Sequence, residues 1–433
     1  VSESWTSARG VMVVLVTLLF SLMSLILPAA LAAEPVVITL WSDHGFEDAP
    51  LFQVIARRFE EEHPNIIVNV ENQADGYYNK LVVAAAAGQL PDIFYVRGGS
   101  GDMAYHAKGF SLDLTPFITR DAHEVEIDDF HPSQIPELMY QGEWRALPYD
   151  YSVQGIYYNR NLFQSAGLPD PEEEWTWEDF AEIARRLTRR ASSGEITQWG
   201  VTNFGFGQFL EGYLMSFGGR LFSEDYSRAV VGSDPASRRA LEFARALATE
   251  HEVVYISGFA GNPFFGGVSG MMIAGSWDTM WIGANMPFEW DVQVLPGGPE
   301  GTRVVTATGG GWSIAATSQH PEEAWQFLKY LTSRESSRFL IVEPVRSLPA
   351  RRSLLPEWAE HVERGSSARN AMAFGRALER YSKNAPTIPY DYVGPIYQLW
   401  GPILTSSERS ITDLSLELEQ RINSILASGG ELE

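Results

Sequence analysis

Residues 36–41 are a run of β-branched and apolar side chains that ends in the turn-like Ser42, Asp43, His44 and Gly45. Leu51, Phe52, Ile55 and Phe59 then recur at helical spacing with charges between them, and Pro64 stops that helix before a second β-rich run over 66–70. Strand, amphipathic helix and strand in this order predict a βαβ unit, and with it a parallel sheet. A helix over 78–87, ended by Gly88, and a short strand over 92–96 after Pro91 extend the pattern. Farther on, Thr176 stands three residues before Asp179, a capping box that opens a helix predicted to run through Arg190. Ser318 with Pro321, Glu322 and Glu323 predicts the same arrangement for a helix over 324–331, and a last helix is predicted near 414–426. Strands and helices alternate without a repeat period, a low-complexity tract or a Gly/Ser linker. The units of the fold are therefore expected to share chain crossings.

At the start of the chain, residues 11–27 are an unbroken apolar run preceded by Arg9 and followed by Pro28 and small residues up to Ala33. This order predicts a secretory signal over 1–33. Ala30 and Ala32 stand at the spacing a signal peptidase reads, which favours cleavage after Ala32, with Ala33 next. A retained membrane anchor is the alternative, but Pro28 and the small-residue exit fit removal better. No later stretch is long and apolar enough to span a bilayer, so the mature chain is expected to be soluble.

Composition narrows the chemistry. At 433 residues with 45% apolar and 20% charged side chains, the chain is too long for one core and too hydrophobic for disorder, so two or three units are expected. Its net charge of -23, from 55 acidic against 32 basic residues, repels a phosphate backbone, so no nucleic acid is expected as a partner. Cysteine is absent, which excludes disulfides, thiolate nucleophiles, zinc-thiolate sites and a thioether-linked lipid. Export without a lipid-bearing cysteine predicts a freely diffusing periplasmic protein.

Specific motifs fail in turn. None of the four lysines follows a glycine, so there is no phosphate-binding P-loop, and none has a serine three residues before it. Neither Ser100 nor Ser269 has the two glycines of a nucleophile elbow, and Gly309, Gly310 and Gly311 do not fit the dinucleotide fingerprint. His123 and Glu124 begin like a zinc-protease helix, but Ile127 stands where the second histidine belongs. Asp121, His123, Glu124, Glu126, Asp128, Asp129 and His131 crowd one short segment, which reads best as a solvated acidic loop. No metal or cofactor is expected. A carboxylate pair for glycoside hydrolysis has no evidential weight among 55 acids.

Aromatic residues are abundant, at 12% with 13 Trp and 17 Tyr, and several stand at strand ends or in glycine-rich loops: Trp41, Tyr95, Tyr149, Tyr151, Phe204, Phe206, Trp277 and Trp312. Each alone is as well explained by core packing. Together they suit a cleft for a sugar, whose C–H faces stack on rings while its hydroxyls need polar groups at fixed directions. Asp43, Asp75, Arg97, Asp150, Gln208 and Arg351 are the nearby polar candidates.

The order of motifs resembles the extracellular solute-binding proteins of ABC importers, in particular the sugar- and oligosaccharide-binding family 1, which is maltose-binding-protein-like. The resemblance rests on the signal-like segment; Ile38-Thr39-Leu40-Trp41; His63-Pro64-Asn65-Ile66; Pro91-Asp92-Ile93; Leu147-Pro148-Tyr149-Asp150; Gly155-Ile156-Tyr157-Tyr158-Asn159; Trp175-Thr176-Trp177-Glu178-Asp179; Gly275-Ser276-Trp277; Gly309 to Ile314; and Ala324-Trp325 with Phe327-Leu328. It covers essentially the whole mature chain. Tyr149 departs from the family pattern, which has an aliphatic residue there, and so becomes a further candidate for the cleft wall.

The resemblance implies an α/β periplasmic-binding-protein fold, two α/β lobes joined by hinge crossing segments. Lobe 1 is expected over 34–145 and 307–343, and lobe 2 over 146–306 and 344–433. It further implies ligand contacts from Trp41, Asp43, His44, Arg97, Gly98 and Ser100 on one rim, with Asp75 and Asp150 as further ligand candidates. Phe206, Gln208 and Trp277 are expected from the second lobe, with Gly310, Gly311, Trp312 and Arg351 near a crossing. The implied role is non-catalytic: a small-molecule sugar is held between the lobes of a monomer and delivered to ABC permease subunits. A secreted carbohydrate-active hydrolase and a ligand-free adhesion or scaffold protein are the alternatives. Product formation distinguishes the first, and the absence of any saccharide binding the second.

Overall fold

The computed structural model describes residues 34–43, 49–73, 76–97, 103–256, 261–384 and 392–428; the signal-like segment 1–33 lies outside them. The expected βαβ opening is present. Strand β1 (Val36–Ser42) pairs in parallel with β2 (Ile66–Asn72) across helix α1 (Ala49–Glu62), and Leu40 of β1 lies opposite Ile93 of β3 (Ile93–Arg97), also parallel. Helix α1 buries Phe52, Ile55, Ala56 and Phe59, the face on which the apolar spacing converged. Helix α2 (Tyr77–Ala86) follows β2.

Strand β4 (Leu147–Asn159) is the element that organises the rest. Thirteen extended residues span about 43 Å, more than one small sheet needs, and its two halves serve different partners. The first half pairs antiparallel with β8 (Val305–Ile314), which continues antiparallel to β3. The second half pairs antiparallel with β6 (Ser269–Gly275) and β7 (Trp290–Val294), and β6 runs parallel to β5 (Ile196–Thr202). One continuous path of strands, β2-β1-β3-β8-β4-β6-β5, thus runs through the molecule.

Two hydrophobic cores form along that path. One gathers Ile38, Phe59, Phe94, Leu147, Tyr149, Trp312 and Trp325; the other gathers Tyr151, Ile156, Trp177, Met272, Trp290, Val305 and Trp358. The change of core falls within β4 between Tyr149 and Tyr151, within β8 between Ala307 and Trp312, and in the stretch between Ile341 and Leu354. An expected boundary after Arg145 lies before Ala146, Leu147 and Tyr149, all of which belong to the first core.

Several expectations are corrected by packing. Helix α3 (Trp177–Leu187) has both halves of the Thr176/Asp179 capping box but stops before Arg190, because Thr188 is extended and its hydroxyl donates to Ala184 O at 2.8 Å. Helix α4 (Pro321–Leu331) begins without a side-chain cap; Ser318 accepts from His320 N–H and donates to Asp92. The acidic segment around 121–131 is not simply solvated. Asp121 accepts from Trp325 Nε1 at 2.7 Å and Lys329 Nζ at 2.8 Å, and Asp129 accepts from Ser353 and Arg334. These acids fasten the segment to later parts of the chain.

Three cleft candidates belong to this interior instead. Trp312 and Tyr149 are fully buried in the first core, where Trp312 meets both Tyr149 and Phe52 edge-on and the Tyr149 ring is tilted against Phe52. Arg351 is 2% exposed. Its guanidinium lies 4.5 Å over the Phe130 ring, donates to Thr332 O and Val125 O, and reaches Asp129 at 3.4 Å. A cation at this depth is retained because a carboxylate and two carbonyls surround it. Arg351→Lys cannot reproduce that fork, and is expected to lower the unfolding free energy by about 2 kcal/mol or more. Urea melts of parent and variant read this directly; equal midpoints and slopes would show that the contacts contribute nothing.

Candidate functional site

Where β4 and β8 change cores, the strands are forced close together. A Cβ added at Gly310 would stand 1.8 Å from the Tyr95 hydroxyl, so only glycine leaves room for that ring to reach the crossing. There Tyr95 OH donates to Asp150 Oδ1 at 2.9 Å and Gly310 N–H donates to the same oxygen at 3.0 Å. The pairing of β8 with β4 shifts register between Gly310 and Gly311, the bulge that accommodates this approach. From behind, Gln134 Nε2 donates to Asp150 O at 2.7 Å and Gly310 O at 3.1 Å, and Glu137 accepts from Gly309 N–H at 3.1 Å.

A cavity of about 360 Å³ opens over this crossing. Asp150 and Ser152 of β4 and Thr308 and Gly309 of β8 form its floor, and Tyr95 and Arg97 close one side from the end of β3. Phe209, Trp277 and Tyr397 stand opposite, carried by the second core's elements. Arg97 donates to Asp43 Oδ2 at 2.8 Å and lies 4.9 Å over the Tyr78 ring, whose hydroxyl donates to the same carboxylate. Burial pushes the Asp150 carboxyl up, while the Tyr95 hydroxyl and Gly310 N–H act in the opposite direction. Burial, then the Asp150 and Asp43 charges, push the Tyr95 phenol well above its usual range, so Tyr95 is a hydroxyl donor and not a base.

Trp277 is 38% exposed, unusual for the largest apolar side chain. It sits on a single turn, Ser276–Asp278, and its ring lies back over Gly275, where an added Cβ would be 2.3 Å away. Phe209 stacks against it at 5.5 Å and 25°. The turn is held from both sides: Tyr157 of β4 donates to Gly275 O at 3.0 Å, and Asp278 Oδ2 accepts from Gly275 N–H at 3.1 Å. A ring displayed in this way offers a flat face in a fixed orientation.

A second chamber of about 330 Å³ continues past Trp277, sharing Phe209, Trp277 and Tyr397 with the first. It is built from Gln154 of β4, the segment from Asn203 to Gly207, and helix α5 (Val393–Thr405) with Tyr397 and Trp400. Phe206 stacks on Tyr213 at 4.4 Å and meets Trp400 edge-on at 5.6 Å. Trp400 Nε1 donates to Phe204 O at 2.7 Å and Gln154 Nε2 to Gly205 O at 3.2 Å.

Of the residues singled out in the sequence, Arg97, Asp150 and Trp277 line the first chamber, Asp43 holds Arg97, and Phe206 lines the second chamber. Gly310 supplies the N–H on Asp150, whereas Gly311 backs onto Leu147 O in the strand pair. Trp41 lies to one side, its indole N–H donating to Glu71 Oε2 at 2.8 Å. His44, Asp75, Gly98 and Ser100 lie outside the described residues, as does the Gln208 side chain. Phe209, Tyr397, Trp400 and Gln154 were missed. Tyr397 and Trp400 carried a signal, two rings three positions apart on one helical face beside Gly401 and Pro402. Among the described residues no cluster of His, Asp or Glu has the arrangement of a metal site, and no helix is long and apolar enough to cross a membrane.

A family model for bacterial extracellular solute-binding proteins matches residues 46–337. A lactose-binding protein of Rhizobium radiobacter is 23% identical over 71% of this chain and 72% of its own length. A melibiose/raffinose/stachyose-binding protein of Bacillus subtilis (strain 168) is 27% identical over 45% of each chain. Among solved structures, an ABC substrate-binding protein of Listeria monocytogenes in complex with cycloalternan superposes with a TM-score of 0.78 at 22% identity, over 92% of this chain and 100% of that one.

The turn that displays Trp277 carries its own pH dependence. Burial raises the Asp278 carboxyl to about 6 in the folded protein, against which the Gly275 N–H hydrogen bond acts. The folded state therefore binds this proton more tightly than the unfolded chain, and stability falls as pH rises through the window from about 4 to about 6. Asp278→Asn removes that loss. The melting temperature of the variant relative to the parent is expected to become more positive from pH 4 to pH 7; a constant difference across that range would contradict the assignment.

Proposed function

The chain belongs to the bacterial extracellular solute-binding proteins, and we propose that it captures an uncharged sugar in the cleft over the crossing strands and delivers it to the membrane subunits of an ABC importer. The observation that carries this reading is the composition of the cleft. One wall presents Trp277 and Tyr397 as exposed rings, while Tyr95 across from them and Asp150, Ser152 and Thr308 of the floor present hydroxyl and carboxylate partners. Stacking surface on one side and directional polar groups on the other is what a pyranose requires. The binding specificities in the names of relatives, lactose and the melibiose series, agree with this class.

Charge favours a neutral ligand. Arg97 is balanced by Asp43 at 2.8 Å, and Asp150 lies in the field of Arg346. Among the described residues that line the cavity, a uronate or sugar phosphate meets no cation without a counter-charge, in a protein of net charge -23.

Among the described residues the two cores are joined by three passages of chain, so the cleft between them can narrow by rotation about β4, β8 and the stretch near Leu348. Ligand touching both walls favours the narrowed form by its differential affinity, and that form is the one recognised by the permease. We further read residues 1–33 as an export leader and the mature chain as a monomer acting in the periplasm. Nothing in this cycle calls for bond cleavage.

Calorimetry with neutral saccharides is expected to give saturable binding, with uronates and sugar phosphates at least tenfold weaker and no product detectable by chromatography. Trp277→Ala is expected to weaken the bound saccharide at least tenfold, about 1.4 kcal/mol, with an unchanged circular dichroism spectrum. Unaltered affinity in the variant would remove Trp277 from the site, and excess hydrolysed product would overturn the binding role.

A further inference from the structure

We infer that Glu137, behind the crossing strands, is a positioning residue that holds a proton while the cleft is open and releases it as the cores close, so that capture is linked to pH. This rests on the rotation proposed above and adds to it a residue and a proton. The segment 130–138 touches all three passages that join the cores among the described residues. Gln134 Nε2 bridges Asp150 O of β4 and Gly310 O of β8. Glu137 Oε2 accepts from Gly309 N–H at 3.1 Å and from the Thr308 hydroxyl at 3.3 Å, and His131 N–H donates to Ala350 O at 3.2 Å in the third passage. Phe130 and Leu138 pack in the first core, whereas Ser133 Oγ accepts at 3.0 Å from Tyr151 of the second core and Ser133 O accepts from Asn384, which lies opposite Ala307. Alternation along β4 sends Asp150 and Ser152 into the cavity and Tyr151 back onto this segment. The segment is therefore a seam between the cores on the side away from the cleft, and a rotation that narrows the cleft in front widens the seam behind.

In the arrangement described, the cleft is accessible, with the Trp277 ring and the Arg97 side chain both exposed, and the seam is shut. Three buried side-chain atoms of the seam have no hydrogen-bond partner among the described residues: His131 Nε2, Gln134 Oε1 and Glu137 Oε1. Gln134 and Glu137 flank the tight turn Ile135–Leu138 three positions apart, so their side chains share one side of it, and both reach the Gly309–Gly310 stretch. Acceptors withdrawn from water without a donor are costly, and a neutral carboxylic acid supplies an O–H. Glu137 is 1% exposed, and burial pushes its carboxyl well above the usual carboxylate range, against the Gly309 N–H and the Thr308 hydroxyl. Neighbouring charges do not offset this. Strand β8 carries no titratable side chain, and Asp150 of β4 faces the cleft. Arg351 and Arg352 are held by Asp129 and Asp128 O, Arg145 by Glu143 and Ser111 O, and the Tyr140 phenol accepts from Gln141. Burial keeps His131 neutral down to about 4. Opening the seam admits water to Glu137, which favours the carboxylate and expels the proton.

The test is calorimetry of the protein with lactose, raffinose and maltose from about pH 5.5 to about pH 8, in buffers of different ionisation enthalpy. For a saccharide that binds, net proton release is expected, and with it an affinity that rises roughly threefold or more across the range. Glu137→Gln keeps the shape and an N–H donor, and is expected to lose most of that rise. A parent that releases no proton on binding, an affinity that falls as pH rises, or a variant that keeps the parent's slope would overturn the proposal; the parent's proton release decides it even if the variant fails to fold. Melting curves of the ligand-free proteins read the proton site alone. The folded parent binds this proton more tightly than the unfolded chain, so its stability falls as pH rises above about 4.5, and the melting temperature of Glu137→Gln relative to the parent is expected to grow more positive. A constant difference would overturn the site. A folded protein that binds none of the three saccharides would overturn the capture reading and the coupling with it, while the melting curves still report whether Glu137 holds the proton.

Discussion

The close approach of β4 and β8 at the change of cores is the constraint on which the rest of this molecule depends. Side chains larger than hydrogen at Gly310 are excluded by the Tyr95 hydroxyl. That exclusion lets one carboxylate oxygen of Asp150 collect a phenol and a backbone N–H at the boundary between two cores. Gln134 and Glu137 secure the same strands from the far side. The result is a narrow, polar floor whose hydrogen-bonding groups are already oriented before any ligand arrives, so little ordering entropy is lost on binding. Everything above the floor is carried by one core or the other, so any ligand contacting both walls is sensitive to their relative position.

This arrangement explains why rings and polar groups are segregated. Polar contacts belong to the crossing strands β4 and β8 and to the end of β3, where backbone geometry fixes direction. Trp277 belongs to a turn pinned by Tyr157 and Asp278, which fixes a plane. A ligand can shift the equilibrium between arrangements of the two cores only by as much as it prefers one of them. In the closure proposed above, the floor contributes comparably to either arrangement, and the aromatic wall, placed on the other core, is where the preference arises.

Much of the fold was legible in the sequence because it follows from short-range periodicity. The βαβ opening, the helix at Ala49–Glu62 and the Thr176 capping box each depend on residues within one or two turns of each other. Trp277 stood out in the sequence as a ring following Gly275-Ser276, at a position to which the family resemblance assigns a ligand contact. The site was illegible where the decision lay in long-range pairing. Trp312 and Arg351 stand near a crossing in sequence, but Trp312 lies two residues beyond Gly310, where β8 has already entered the first core and packs on Phe52, and Asp129, over two hundred residues earlier, claims Arg351. Gln154 gave no local signal, since an amide within an apolar strand declares its role only when its neighbours are known.

The central claim is that one saccharide contacts both cores and draws them together about the crossing strands. Small-angle X-ray scattering on the protein, alone and saturated with the saccharide that binds most tightly by calorimetry, tests it most directly. The account predicts a smaller radius of gyration and a shorter maximum dimension with ligand. Superimposable profiles at confirmed saturation would contradict it.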